Sequence, residues 1–98
     1  MTLLGTDGVR AALGELPGWS GDASRLSRTF QAPDFLTAIR MVDDVALVAE
    51  TMNHHPDIDI RWRTLTFTLS THSASGVTEN DVELARRISE VAERHDAT

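Results

Sequence analysis

The sequence predicts an α+β fold: a four-stranded antiparallel sheet with three helices packed on one face, in the order α-β-β-α-β-β-α. Three observations carry this. Helical and two-residue periodicities alternate along the chain as helix, two strands, helix, two strands, helix. The strand segments are apolar on one side only, as where Leu65, Phe67 and Leu69 alternate with threonines, so helices need cover only one face. Short connections within each strand pair make the pairs antiparallel hairpins.

Val9, Ala12, Leu13 and Leu16 recur at helical spacing after Thr6-Asp7, a capping start, and this first helix should stop before Pro17-Gly18. A Gly21-Asp22 turn signal makes residues 19–30 a hairpin, with residues 25–30 as its second strand and Leu26 directed inward. Pro33-Asp34 opens the longest periodic segment, in which Phe35, Ala38, Ile39, Val42, Val45, Ala46, Ala49 and Met52 fit one helical face. It lasts to about residue 53, because Pro56 disfavours helix at His55.

Ile58, Ile60 and Trp62 then alternate with Asp59 and Arg61, and the apolar parity flips at Leu65. A two-residue turn at Arg63-Thr64 lets both apolar sets face the same side, with Trp62 beside Ile60 in the core. Asp59, Arg61, Thr64, Thr66 and Thr68 are left for the open face. Residues 78–94 read as the last helix, with Val82, Ala85, Ile88, Val91 and Ala92 apolar.

Ninety-eight residues suit a single domain, residues 1–98, and a 41% hydrophobic content is enough for a packed core. The formal charge is −6, from nine basic against fifteen acidic residues, and the only adjacent basic pair is Arg86-Arg87. Phosphate backbones need basic clusters, so no direct nucleic-acid contact is expected. Every basic residue is arginine, which excludes lysine Schiff-base chemistry, and the absence of cysteine excludes thiolate nucleophiles, disulfides and cysteine-bound metals. The first ten residues have no basic stretch followed by an apolar run, and no segment reaches the 18–20 apolar residues that span a bilayer. The expectation is a cytoplasmic protein with no membrane contact.

Histidine is the side chain whose ordinary pKa lies nearest neutrality, and three of the four histidines fall within residues 54–72. His54 and His55 lie at the end of the long helix, where unpaired carbonyls favour imidazolium. Glu50 precedes His54 by four residues, so the two can meet on one face. His72 follows the strand at residues 65–70, and Asp81 lies in the first turn of the last helix. If that strand returns beside residues 58–62, these groups converge on one rim of the sheet, where a carboxylate can hold an imidazole as a general acid or base. Structural roles compete at each position. The histidines suit a helix end, Thr78-x-x-Asp81 resembles a capping box, and Glu50 suits an exposed helix face. A metal site is disfavoured, because adjacent histidines point apart and no His-x-His or His-x-x-x-His pair is present. His95 lies in a polar tail, apart from this group.

The ordered set Glu50-x-x-x-His54-His55-Pro56, Trp62, His72 and Asp81 resembles the signature of the pterin-4a-carbinolamine dehydratase family. So do Gly18-Trp19, the helix from Phe35, the segment Leu69-Ser70-Thr71-His72 and the turn Gly76-Val77-Thr78-Glu79-Asn80-Asp81. Together these cover residues 13–94. The resemblance implies dehydration of 4a-hydroxytetrahydropterin to quinonoid dihydropterin, with no metal or cofactor. It implies catalysis by His54, His55 and His72, and pterin contacts from Glu50, Pro56, Thr71 and Asp81. It also implies a homodimer or homotetramer. Two positions depart from the family pattern: Asn80, where an arginine often stands, and Asp57-Ile58, where an aromatic residue commonly follows the proline. The competing expectation is a non-catalytic binding or assembly module acting on a protein partner, since some relatives use the fold that way.

Overall fold

The alternating threonines and apolar residues of Thr64–Leu69 form β4, an inner strand of the sheet. The computed structural model describes residues 2–98. Its other elements are α1 (Gly5–Leu13), β1 (Ser20–Gly21), β2 (Leu26–Gln31), α2 (Phe35–Met52), β3 (Asp57–Arg61) and α3 (Glu79–Arg94), with a 3-10 turn at His72–Ala74. The sheet order is β1-β2-β4-β3 and every pairing is antiparallel. Leu26 lies opposite Leu69 and Phe30 opposite Leu65, so the apolar residues of β2 and β4 share one face. They form one core with Met41 and Val45 of α2 and Leu84 and Ile88 of α3. Phe30 meets Trp19 and Phe67 edge-on, with centroids 6.3 Å and 5.9 Å away. On the open face Thr29 and Thr66 share a hydrogen bond of 2.9 Å.

The ends of α2 aim the chain. Asp34 is extended, and its carboxylate accepts the Thr37 amide at 2.7 Å, an N-cap. At the other end Asn53 takes the left-handed conformation at φ 50°. The Asn53 amide donates back to the Glu50 carbonyl and the His54 amide to the Ala49 carbonyl. This is a Schellman stop, which satisfies the last carbonyls and turns the chain off the helix axis at His54.

Four details differ from the sequence reading. α1 begins at Gly5, with Thr6 and Asp7 already inside it, because the Leu4 amide is tied to the Val77 carbonyl rather than to a local cap. The buried stripe of α2 is Ala38, Met41, Val45 and Ala49, whereas Phe35 and Ala46 are exposed. The β3–β4 turn is Trp62-Arg63, closed by Arg61 opposite Thr64. Moving a two-residue turn by one position preserves which residues share a face, so the apolar pattern does not distinguish the two placements. Trp62 therefore leaves the core: it occupies the turn at φ 55° and is 70% exposed. Finally, His95 is no free tail, since its Nε2 donates to Asp44 on α2 at 2.7 Å.

Candidate active site

Three connections meet at one end of the sheet: the α2–β3 turn, the β4–α3 loop and the β1–β2 turn. The β4–α3 loop carries His72. Its neck is closed by the Thr71 amide on the Gly76 carbonyl at 2.9 Å. The β1–β2 turn braces it. The Val77 amide donates to the Ala23 carbonyl at 2.9 Å, and the Ser70 hydroxyl donates to the Ser24 carbonyl at 2.8 Å. That turn is itself rigid, because Asp22 accepts from the hydroxyl and amide of Ser24. These bonds hold its carboxyl below the usual carboxylate value.

Asp81 is the hub. It is fully buried, in the first turn of α3. Its Oδ2 accepts the Thr78 amide at 2.9 Å, the reach-back arm of a capping box, and the Thr71 hydroxyl at 2.8 Å. The Thr71 hydroxyl proton is thereby used, so Thr78 donates the 2.7 Å bond between the two hydroxyls. Oδ1 faces His54 Nε2 at 2.6 Å, and the His54 side chain is only 11% exposed. An ionised carboxylate accepts only, so the imidazole donates from Nε2 and Nδ1 is its free nitrogen. Every polar side-chain atom buried among the described residues is satisfied.

Glu50 pairs with His55, not with His54 as the i,i+4 spacing suggested: His55 Nε2 donates to Glu50 Oε2 at 2.5 Å, on the surface. The Schellman stop explains this. Beyond Asn53 the chain is no longer helical, and successive side chains point apart. One histidine goes inward to Asp81 and the next outward to Glu50. Pro56 follows, half-buried, and leads into β3.

His72 is exposed and borders a cavity of about 300 Å³ on the open side of the sheet, shared with Arg25, Asp57, Thr68 and Ser70. A larger cavity of about 370 Å³, at Pro17, Arg28 and Ser89, contains no histidine. The structure thus joins His54 to Asp81 and His55 to Glu50. It sets His72 on the neighbouring loop without a side-chain bond to either pair. Thr71 acts on Asp81 from within the protein. Arg25 and Ser70 were given no site role in the sequence reading, because only the pairing of Leu26 with Leu69 brings them side by side. Among the described residues no three His, Asp or Glu side chains are grouped as a metal site. Nor is any helix there long and apolar enough to cross a membrane.

The arrangement offers a buried, carboxylate-oriented imidazole, a second carboxylate-bound imidazole and a third free one, a set suited to moving protons. Comparison with known proteins gives the family. The sequence model of the family described as pterin 4 alpha carbinolamine dehydratase matches residues 2–91. A Nocardia farcinica protein, provisionally named a pterin-4-alpha-carbinolamine dehydratase, is 56% identical over 90 residues, covering 92% of this chain and 95% of that protein. A Mycolicibacterium smegmatis protein with the same provisional name is 52% identical over 91 residues, covering 93% and 97%. The crystal structure of a transcriptional coactivator/pterin dehydratase from Brucella melitensis superposes with a TM-score of 0.85 at 35% identity, covering 88% and 94%. A pterin dehydratase-like RuBisCO assembly factor of the alpha-carboxysome shares the fold alone, at 20% identity and a TM-score of 0.63, covering 76% of this chain and 86% of that one. The chain belongs to the pterin-4a-carbinolamine dehydratase family.

Proposed function

We propose that this protein is a 4a-hydroxytetrahydropterin dehydratase, a hydro-lyase that uses no metal or cofactor and works by histidine general acid–base catalysis in the cytoplasm, in tetrahydropterin recycling. The carrying observation is the buried His54–Asp81 pair, 2.6 Å apart, on a rim that also bears His55 and His72. In the reaction the C4a–O bond breaks, the departing hydroxyl takes a proton and leaves as water, and a ring nitrogen gives up its proton. One imidazole supplies the first proton and another receives the second, so the enzyme's charge is unchanged, and proton exchange with solvent restores both imidazoles before the next turnover. His54 and His72 carry these transfers. Asp81 keeps His54 in one tautomer and favours the imidazolium that forms when Nδ1 takes a proton. His55, tied to Glu50, assists as an acid or binds the pterin. Glu50 and Pro56 complete the pterin contacts, whereas the buried Thr71 and Asp81 serve the site by fixing the loop and His54.

The working species is a homodimer or homotetramer. The apolar side chains exposed on α2 (Leu36, Leu47) and at the β3 hairpin (Ile60, Trp62) support this.

The test is the dehydration rate of freshly generated 4a-hydroxytetrahydropterin. A wild-type rate well above buffer that falls about 10²–10⁴-fold in His54→Ala and in His72→Ala is expected for loss of a general acid or base. A wild type no faster than buffer would instead favour a non-catalytic module acting on a protein partner.

A further inference from the structure

The inward face of β2 breaks its own pattern. Leu26 and Phe30 enter the core, and the residue between them on that face is Arg28, opposite Phe67 of β4. A cation in such a place is usually paired, because taking an uncompensated charge out of water is costly. Arg28 has no carboxylate partner. Among the described residues it enters no ion pair, and burial lowers its pKa with nothing opposing. Neutral groups hold it instead. Nη1 donates to the Pro17 carbonyl at 2.8 Å and to Ser89 Oγ at 3.3 Å, and the guanidinium lies 4.2 Å from the centre of the Phe30 ring.

This arrangement leaves donors over. Nη1 spends both its hydrogens, whereas those of Nε and Nη2 meet no acceptor among the described residues. That pair of nitrogens is an edge able to take a carboxylate bidentately. Ser89 Oγ accepts from Arg28 and also from Trp19 Nε1, at 2.8 Å, so both lone pairs are used and its own proton remains to be given.

Arg28 and Ser89 border the cavity of about 370 Å³, a size within the range of small-molecule sites. Leu16, Phe30 and Ala92 give it apolar wall. Glu15, Glu90 and Glu93 border it too, and among the described residues none of them is in an ion pair. Arg86, also at the cavity, is neutralised by Glu83. Glu93 follows Ser89 by one turn of α3 on the same face, which sets their Cβ atoms roughly 5–6 Å apart.

Unpaired donors thus stand one helical turn from unpaired acceptors, with apolar wall beside both. A simple anion would suit Arg28 and be repelled by the glutamates, and a simple cation the reverse. We propose that this cavity binds a free α-amino acid with an apolar side chain. Its carboxylate lies on Arg28 and Ser89, its ammonium faces Glu93, and its side chain packs on Leu16, Phe30 and Ala92. The two charged groups of an α-amino acid share one carbon, so a single turn of helix spans both contacts. The cavity holds none of the histidines, so this site is additional to the dehydratase reading and does not depend on it.

The experiment is a titration of the full chain followed by the two tryptophan indole N–H signals in heteronuclear NMR. The Trp19 indole donates to Ser89 and reports on the cavity, while Trp62, exposed at the β3–β4 turn, is the internal control. Leucine should shift the Trp19 signal saturably at roughly millimolar concentration or below and leave Trp62 in place. Isocaproate, which lacks the ammonium, and isopentylamine, which lacks the carboxylate, should each bind at least about tenfold more weakly. Arg28→Lys keeps the charge but loses the fork, and should weaken leucine about tenfold or more. Glu93→Gln should weaken leucine while leaving isocaproate unchanged or tighter, a reversal that general damage to the fold would not produce. The ligand series on the wild type and Glu93→Gln decide the question even where Arg28→Lys does not fold. A Trp19 signal indifferent to leucine overturns the site. Isocaproate binding as tightly as leucine, or a folded Arg28→Lys with unchanged affinity, overturns the amino-acid assignment.

Discussion

His54 and Asp81 meet at 2.6 Å across 27 positions of sequence, and the carboxylate that holds the imidazole also closes the first turn of α3. One side chain thus joins the proposed catalytic imidazole to the start of a helix. Asp81→Asn preserves shape but replaces one acceptor oxygen with an NH₂ group. It should lower the dehydration rate by about 10²–10⁴-fold and the unfolding free energy by about 1–3 kcal/mol. Initial rates and urea titration on the same preparation check both. A variant that loses stability but keeps its rate would make Asp81 a cap alone.

Asp34 caps α2, and the Thr37 amide and hydroxyl hold its carboxyl below the ordinary value of 3.8. A folded-state pKa that is depressed gives stability that is present above the unfolded value and lost as pH falls through the folded one. Asp34→Ala should therefore lower the melting temperature at pH 7, and the gap between variant and wild type should shrink as the pH is taken well below 3.8. Thermal melts by circular dichroism at the two pH values decide it. An undiminished gap would mean that the cap acts without its charge.

Trp62 stands at φ 55°, where a large side chain is strained and asparagine is comfortable. Trp62→Asn should leave the protomer's denaturation midpoint unchanged or higher, since 70% of the residue is exposed and little packing is lost. Denaturation below the concentration of association checks this. A clear fall would mean that the ring packs against its own protomer.

Gly18 and Gly5 both have positive φ, at 85° and 72°, but only Gly18 is crowded. A Cβ there would come within 2.6 Å of Arg28 Nε, whereas at Gly5 it would meet nothing within 4 Å. Arg28 cannot move aside cheaply, because its guanidinium donates to the Pro17 carbonyl and to Ser89 and lies over the Phe30 ring. Gly5→Ala should cost about 1 kcal/mol for backbone conformation, and Gly18→Ala at least about 1 kcal/mol more. Equal costs in denaturant titration would show that the Arg28 clamp yields.

The elements and their order were legible because strong periodicities fell between clear stops. Asp34 opens α2, Asn53 and Pro56 close it, and Thr78 opens α3. Details that depend on rotation or direction were not. A turn at Trp62-Arg63 and one at Arg63-Thr64 give the same inward set, so Trp62 was assigned to the core. The helical spacing of Glu50 and His54 suggested a pair, but the left-handed Asn53 breaks the helix between them and gives Glu50 to His55. Asp81 was seen both as a cap and as a partner for an imidazole, and its bonds to Thr78 and His54 are present together. Arg25 and the His95–Asp44 tie come from tertiary pairing, which no local pattern records.

The sheet order has a consequence for synthesis. β2 is finished early, yet its long neighbour is β4, and even the closest pair of that ladder, Gln31 and Thr64, is separated by all of α2 and β3. A nascent or truncated chain that ends after α2 therefore carries β2 with an open edge and Leu26 and Phe30 uncovered. Such an unpaired apolar strand invites proteolysis and aggregation. The two halves are mutually dependent for folding, and the ribosome must deliver most of the chain before either half is safe.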